Sequence, residues 1–247
     1  MTRRPELLAP AGTMEKLEAA LRYGADAAYL GGRQFGLRAF GRNFTEDEIA
    51  AAVRLAHGMG KKIYVTVNVF PHNEDLVSLP DYLRFLKEAG ADAVLVADLG
   101  VFMCAREAAP GLPIHVSTQA NNVNWRTVRA WQELGAARVV LARELSAAEI
   151  REIRRATDVE LELFVHGAMC ISYSGRCLLS SYFTGRDANR GSCAQSCRWK
   201  YALVEEFRPG EYYPIAEDER GTYIMNSKDL CLLPYLDEVV ACGVDSL

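Results

Sequence analysis

The sequence predicts a (β/α)₈ barrel. Three observations carry that expectation: a glycine-led strand pattern appears four times, apolar strands alternate with helical stretches, and the strands number eight. Strands alternating with helices imply parallel βαβ units. Eight such units in 247 residues suit one barrel. An open doubly wound sheet is the competing arrangement, but no G-x-G-x-x-G loop follows the first strand.

The elements follow in order. ELLAPAG (6–12) reads as the first strand, TMEKLEAALRYG as the first helix and GADAAYLGG (24–32) as the second strand. TEDEIAAAVRLAHGMG is helical and leads into the strand KKIYVTVNV (61–69). LPDYLRFLKEAG is helical and leads into GADAVLVAD (90–98), followed by the strand PIHVSTQ (113–119). NWRTVRAWQELG is helical and leads into GAARVVLAREL (135–145), with ELELFVH (160–166) as the seventh strand. GVDSL (243–247) opens the eighth, which starts at Asp245. Each repeat begins with glycine, which suits the left-handed position just past a helix. The eighth strand stops at Leu247 without a closing helix, so a truncated barrel is expected, read as one domain over 1–247. Residues 167–242 break the rhythm as a long insertion beyond the seventh strand, on the face where barrel enzymes build their sites.

Composition narrows the function classes. The chain is 50% hydrophobic, with 28 basic against 32 acidic residues and a net charge of −4. Bulk charge gives no sign of a nucleic-acid partner. The N-terminus has no apolar run suited to a signal peptide, and no stretch of about 18 apolar residues suggests a membrane span. The expectation is a soluble cytoplasmic protein. There, seven cysteines point to metal or redox chemistry rather than to disulfides.

Four of the seven fall in the insertion as C-x₆-C-x₁₅-C-x₃-C: Cys170, Cys177, Cys193 and Cys197, with Cys231 following. Four thiolates suit tetrahedral zinc or an iron–sulfur cluster. Structural zinc prefers tighter pairs, and the wide gaps leave room for a bulkier cluster. Cys104 and Cys242 read as core fillers.

FVHGAMCISYSGRCLLSSY looks like the signature of the collagenase-like peptidase family of unknown catalytic type. ELLAPAGTMEKLEAALRYGADAAYLGG resembles its N-terminal motif. RGSCAQSCRWKYALVEE with the following RPGEYYPIAEDERGTYIMNSKDL resembles the branch that makes 5-hydroxyuridine at the tRNA wobble position. The resemblance implies an oxygen-independent RNA hydroxylase carrying a [4Fe–4S] cluster, with prephenate as hydroxyl donor and a C-terminal domain absent from this chain. It implies Cys170, Cys177 and Cys193 as cluster ligands. Cys197 completes the compact motif, and Cys231 matches a ligand position in a related quinone branch. Cys197 is preferred, and the fourth ligand stays open. An electron-transfer or paralogous partner is a further expectation.

The residues themselves give peptidase chemistry little support. Neither G-x-S-x-G nor H-E-x-x-H occurs among the sequence motifs. A Cys–His arrangement of Cys170 with His166 is the peptidase alternative, and a zinc-stapled scaffold is the non-enzymatic one. For RNA, two basic loops carry arginines beside aromatics: Arg33, Arg38 and Arg42 in the first, and Arg176, Arg186, Arg190, Arg198 and Lys200 in the second. Such pairs grip phosphates and stack unpaired bases. At the strand ends Asn68, Ser117, Gln119, Glu144 and His166 are expected to point into one pocket for the small donor. His166 is read as a proton donor or anion ligand, and Gln119 as a reader of a base edge.

Overall fold

The computed structural model describes residues 4–36, 43–199 and 229–247. Between the last two it describes 203–204, 207, 209–210, 212–213, 216–218 and 221–223. Seven strands form one parallel sheet in chain order: β1 (Leu8–Pro10), β2 (Ala27–Gly31), β3 (Lys62–Val67), β4 (Ala93–Val96), β5 (Ile114–Val116), β6 (Arg138–Val140) and β7 (Glu160–Glu162). Six helices alternate with them: α1 (Met14–Arg22), α2 (Glu46–Gly58), α3 (Leu79–Glu88), α4 (Leu99–Ala108), α5 (Trp125–Glu133) and α6 (Ala147–Ala156). The fold is α/β, a curled parallel sheet. At its ends the last residues meet both edges, with Ser246 in parallel bridges to Glu6 and to Glu162. Glu6 N–H donates to the Asp245 carbonyl at 2.8 Å, and Leu8 N–H to that of Leu247 at 2.9 Å.

Local chemistry sets the helix ends. The Thr45 hydroxyl accepts from the amide of Glu48 while the Glu48 carboxylate accepts from the amide of Thr45, a capping box that starts α2. Ser146 and Glu149 do the same for α6. At the other end, Gly24, Gly90, Gly135 and Gly243, the first residues of the four repeats, all have positive φ, between 81° and 110°. Each lets a helix stop and its chain turn into the next strand, where a side chain would be strained.

Strand alternation builds two layers of core. On β3, Ile63, Val65 and Val67 face the helices, where Leu17, Leu83 and Phe102 are fully buried. Each such side chain stabilises the fold by about 1.5–3 kcal/mol. Tyr64 points the other way and packs with Ala27, Ala93, Leu95 and Val140 inside the curl.

Several strands are shorter than expected. β5 ends at Val116 because Thr118–Ala120 coil into a 3₁₀ turn, closed by Asn121 at φ 56°. β7 ends at Glu162, and the chain then leaves the sheet. His166–Gly167 (β8) pairs antiparallel with Leu230–Cys231, so His166 belongs to a separate ladder above the sheet. In the insertion, Leu179–Thr184 forms a short helix, α7.

Candidate functional site

Inward-facing residues at the C-terminal ends of the strands line a cavity of about 350 Å³. Tyr29, Thr66, Leu95, Val140 and Glu162 reach it from the strands by alternation, and Asn68 and Ser117 follow in phase. The amide of Asn68 donates to Gln119 Oε1 at 3.3 Å, and the Ser117 hydroxyl donates to the same oxygen. The 3₁₀ turn after β5 therefore fixes Gln119 in the cavity wall. The side chain of Asn122 is bonded back to the Val140 carbonyl at 3.1 Å, a loop-holding role rather than a cavity one.

Arg143 joins this cavity to the cysteine loop. It lines the cavity, lies 4.5 Å over the ring of Phe164, and donates to the carbonyl of Ala168. Its Nε is buried without a partner among the described residues. A buried guanidinium N–H without an acceptor is costly.

In the loop, Cys170, Cys177, Cys193 and Cys197 lie within electrostatic reach of one another. Burial by surrounding protein pushes the Cys170 thiol up; Arg143 opposes this, and Cys193 and Cys177 add to it. Burial likewise pushes up Cys197, with Cys193, Cys170 and Cys177 adding and Arg198 opposing. The amide of Gln195 donates to Cys193 Sγ at 3.3 Å, made possible by Gln195 at φ 53°. A backbone N–H aimed at sulfur suits a thiolate ligand. Among the described residues no three His, Cys, Asp or Glu side chains are placed to hold a single metal ion. Cys231 pairs in register with His166 in the small ladder. Cys104 is packed against the core, and Cys242 is buried with its thiol 3.2 Å from the Glu238 carbonyl. All seven cysteines are free.

The structure thus brings Asn68, Ser117 and Gln119 together and leaves two other expected residues out. His166 is exposed because the chain has already left the sheet, and Glu144 is exposed beside the inward Arg143. Sequence reasoning passed over Glu162, Arg143, Thr66 and Tyr29. The available signal was phase: Glu162 and Glu160 share one face of β7, and a charged residue inside a buried strand is rare without a partner.

Most of the arginines read as RNA ligands are engaged within the chain. Arg190 pairs with Asp75 at 2.9 Å and Glu74 at 3.4 Å, which pins the insertion to the loop after β3. Arg198 meets Asp229 at 3.5 Å, Arg186 donates to the Ser192 carbonyl at 3.1 Å, and Arg176 lies 4.6 Å over Phe70. Arg33 is exposed. Arg38, Arg42 and Lys200 lie outside the described residues.

Residues 12–247 match the protein-family description Peptidase family U32. The chain belongs to that family. Among curated relatives, tRNA hydroxylation protein P1 of Bacillus subtilis is 48% identical over 247 residues, covering 100% of this chain and 58% of the relative. tRNA hydroxylation protein P of Escherichia coli is 43% identical over 284 residues, covering 99% of this chain and 63% of the relative. A 23S rRNA 5-hydroxycytidine synthase of Escherichia coli is 40% identical over 203 residues, covering 82% of this chain and 30% of the relative. The chain therefore spans about three fifths of the length of the first two. The solved U32 peptidase Mk0906 shares the fold, with a TM-score of 0.62, 17% identity and 85% of both chains covered. Among the described residues no helix is long and apolar enough to cross a membrane.

Proposed function

We propose that this U32 chain is part of a tRNA-modifying enzyme that hydroxylates wobble uridine to 5-hydroxyuridine without oxygen. The observation that carries the reading is the junction at Arg143, where a small cavity bearing Asn68, Gln119 and Glu162 meets a group of four thiols. The names of the bacterial relatives support RNA hydroxylation as the reaction class. Cys170, Cys177 and Cys193 would hold a [4Fe–4S] cluster. Cys197 is taken as the fourth ligand because Cys193, Cys170 and Cys177 all act electrostatically on its thiol. When bound, the cluster supplies one-electron or Lewis-acid chemistry. The chain's own residues do the rest: Asn68, Ser117 and Gln119 orient a small donor, read as prephenate, and Arg143 meets its negative charge. tRNA approaches over the insertion and Arg33. We read the fold as a (β/α)₈ barrel, with residues 245–247 in the place of the eighth strand. The protein is read as cytoplasmic.

The test is anaerobic purification of wild type and Cys170→Ala, with iron, sulfide and zinc measured alongside visible absorbance. About four irons and four sulfides per chain, lost in the variant, is the expected result. It is paired with tRNA from a deletion strain, which should lack 5-hydroxyuridine until the gene is restored. One zinc and no colour would replace this reading with a zinc-stapled scaffold. Peptide turnover that survives Cys170→Ala would replace it with a peptidase.

A further inference from the structure

Inside the curl, three carboxyl groups share one guanidinium. Arg138 donates to Glu6 at 2.7 Å, to Glu160 at 2.8 Å and to Glu162 at 3.1 Å. The three carboxyls are not equally served. Glu6 also accepts from the Tyr64 hydroxyl at 2.8 Å and the Ser246 hydroxyl at 3.2 Å, and has Lys62 at 3.8 Å. The Glu160 side chain is 46% exposed, so water solvates it. Glu162 is 6% exposed at its side chain and has one longer bond from Arg138. His115, next to Tyr64, adds no charge: burial, with Arg138 and Lys62, holds its pKa well below the usual imidazole range. Nearby carboxylates that cannot all be balanced do not all ionise. The worst-solvated one keeps its proton, and that is Glu162.

On its other side, Glu162 lines the cavity shared with Arg143 and, at the rim, Lys16. We infer that Glu162 serves the cavity as a neutral acid, donating a hydrogen bond to an oxygen of a small anion held there by Arg143, and that anion binding draws a proton onto Glu162. This rests on reading the cavity as the donor site. Burial, opposed by Arg138 and reinforced by Glu6 and Glu160, pushes the Glu162 carboxyl up to about 7, in agreement with the geometry. An incoming carboxylate adds negative charge beside it and raises the group further. Near neutral pH the site therefore offers a full positive charge at Arg143 and a donor at Glu162, both suited to an oxyanion.

The experiment uses the 247-residue chain labelled with ¹³C at the glutamate side-chain carboxyl. The Glu162 resonance is assigned by its loss in Glu162→Gln. Its titration midpoint is expected near 7, rising by about one pH unit with saturating prephenate. Calorimetry in two buffers of different ionisation enthalpy should show proton uptake on prephenate binding at about pH 8, abolished in Glu162→Gln. A midpoint near 4.3, the ordinary value for glutamate, overturns the inference. So does failure of prephenate to bind, or binding with no proton uptake. If Glu162→Gln does not fold, Glu6→Gln serves instead. Removing a competing carboxylate should lower the Glu162 midpoint, and an unchanged midpoint refutes the charge argument. A chain without iron, or a deletion strain with intact 5-hydroxyuridine, would sink the hydroxylation reading and leave the carboxyl titration untouched.

Discussion

Arg138 Nη1 lies 2.7 Å from Glu6 Oε1, although the two residues are 132 positions apart. Glu6 precedes β1 and Arg138 opens β6, so the pair ties distant parts of the sheet across its interior. The Ser246 hydroxyl reaches the same carboxylate, which anchors the end of the chain there too. Taking away Arg138 would strand Glu6, Glu160 and Glu162 together. Arg138→Met is expected to destabilise the fold by about 3–5 kcal/mol at neutral pH. The check is a urea midpoint that falls with an unchanged slope. Near pH 4 the deficit should shrink, because protonated carboxyls no longer need the guanidinium.

Glu162 predicts a pH dependence of stability with a definite sign. Its carboxyl is raised by burial from 4.5 to about 7, so the native state holds a proton that the unfolded chain has lost. Stability from this group is full below the unfolded value and is lost as pH rises through about 7. The slope over that window is at most about 1.4 kcal/mol per pH unit. Glu162→Gln removes the titration while its amide oxygen still accepts from Arg138. The variant should therefore gain stability relative to wild type between about pH 5 and pH 8. Parallel stability curves for the two proteins would contradict this.

The strand order was legible because its signals are local: glycine at a helix end, then an apolar run. The four repeat glycines all turn in the left-handed region, as read. The cavity was less legible because strand phase and strand length decide it together. Asn68 and Gln119 reach the cavity, but β7 stops at Glu162, four residues before His166. No local signal in ELELFVH marks that exit, since Leu163, Phe164 and Val165 would suit a longer strand equally well. The partners of the arginines were hidden for a related reason. Sequence shows a positive charge but not the acid it will meet, and Glu74 and Asp75 lie 116 and 115 positions from Arg190.

That pairing separates the arginines by role. Arg190 is neutralised by Asp75 and Glu74, whereas Arg33 is exposed. Each phosphate contact contributes about one unit to the salt dependence of RNA affinity. Arg33→Ala is expected to reduce that slope by about one unit. Arg190→Ala should leave the slope unchanged and cost about 0.2–1 kcal/mol of stability, as exposed ion pairs do. Fluorescence anisotropy with a labelled anticodon stem-loop at several salt concentrations measures the first. An Arg190→Ala slope reduced as much as that of Arg33→Ala would return Arg190 to the RNA surface.

The cysteines make the sharpest comparison. Cys193 receives the Gln195 amide and lies within reach of Cys170, Cys177 and Cys197, whereas Cys231 stands opposite His166 in the ladder. Cys193→Ala is expected to abolish iron retention under anaerobic conditions. Cys231→Ala should keep about four irons per chain. Cys197→Ala should leave a cluster with one open iron, seen as rapid loss of colour in air and an altered electron paramagnetic resonance signal. Hydrogen bonds to sulfur tune cluster potential, and Gln195→Gly, which keeps both the left-handed backbone and the amide proton, should leave iron content and midpoint potential unchanged. Measuring iron and potential on the same samples separates ligand loss from loop distortion. A Cys231→Ala protein without iron beside a Cys197→Ala protein of normal spectrum would move the fourth ligand to Cys231.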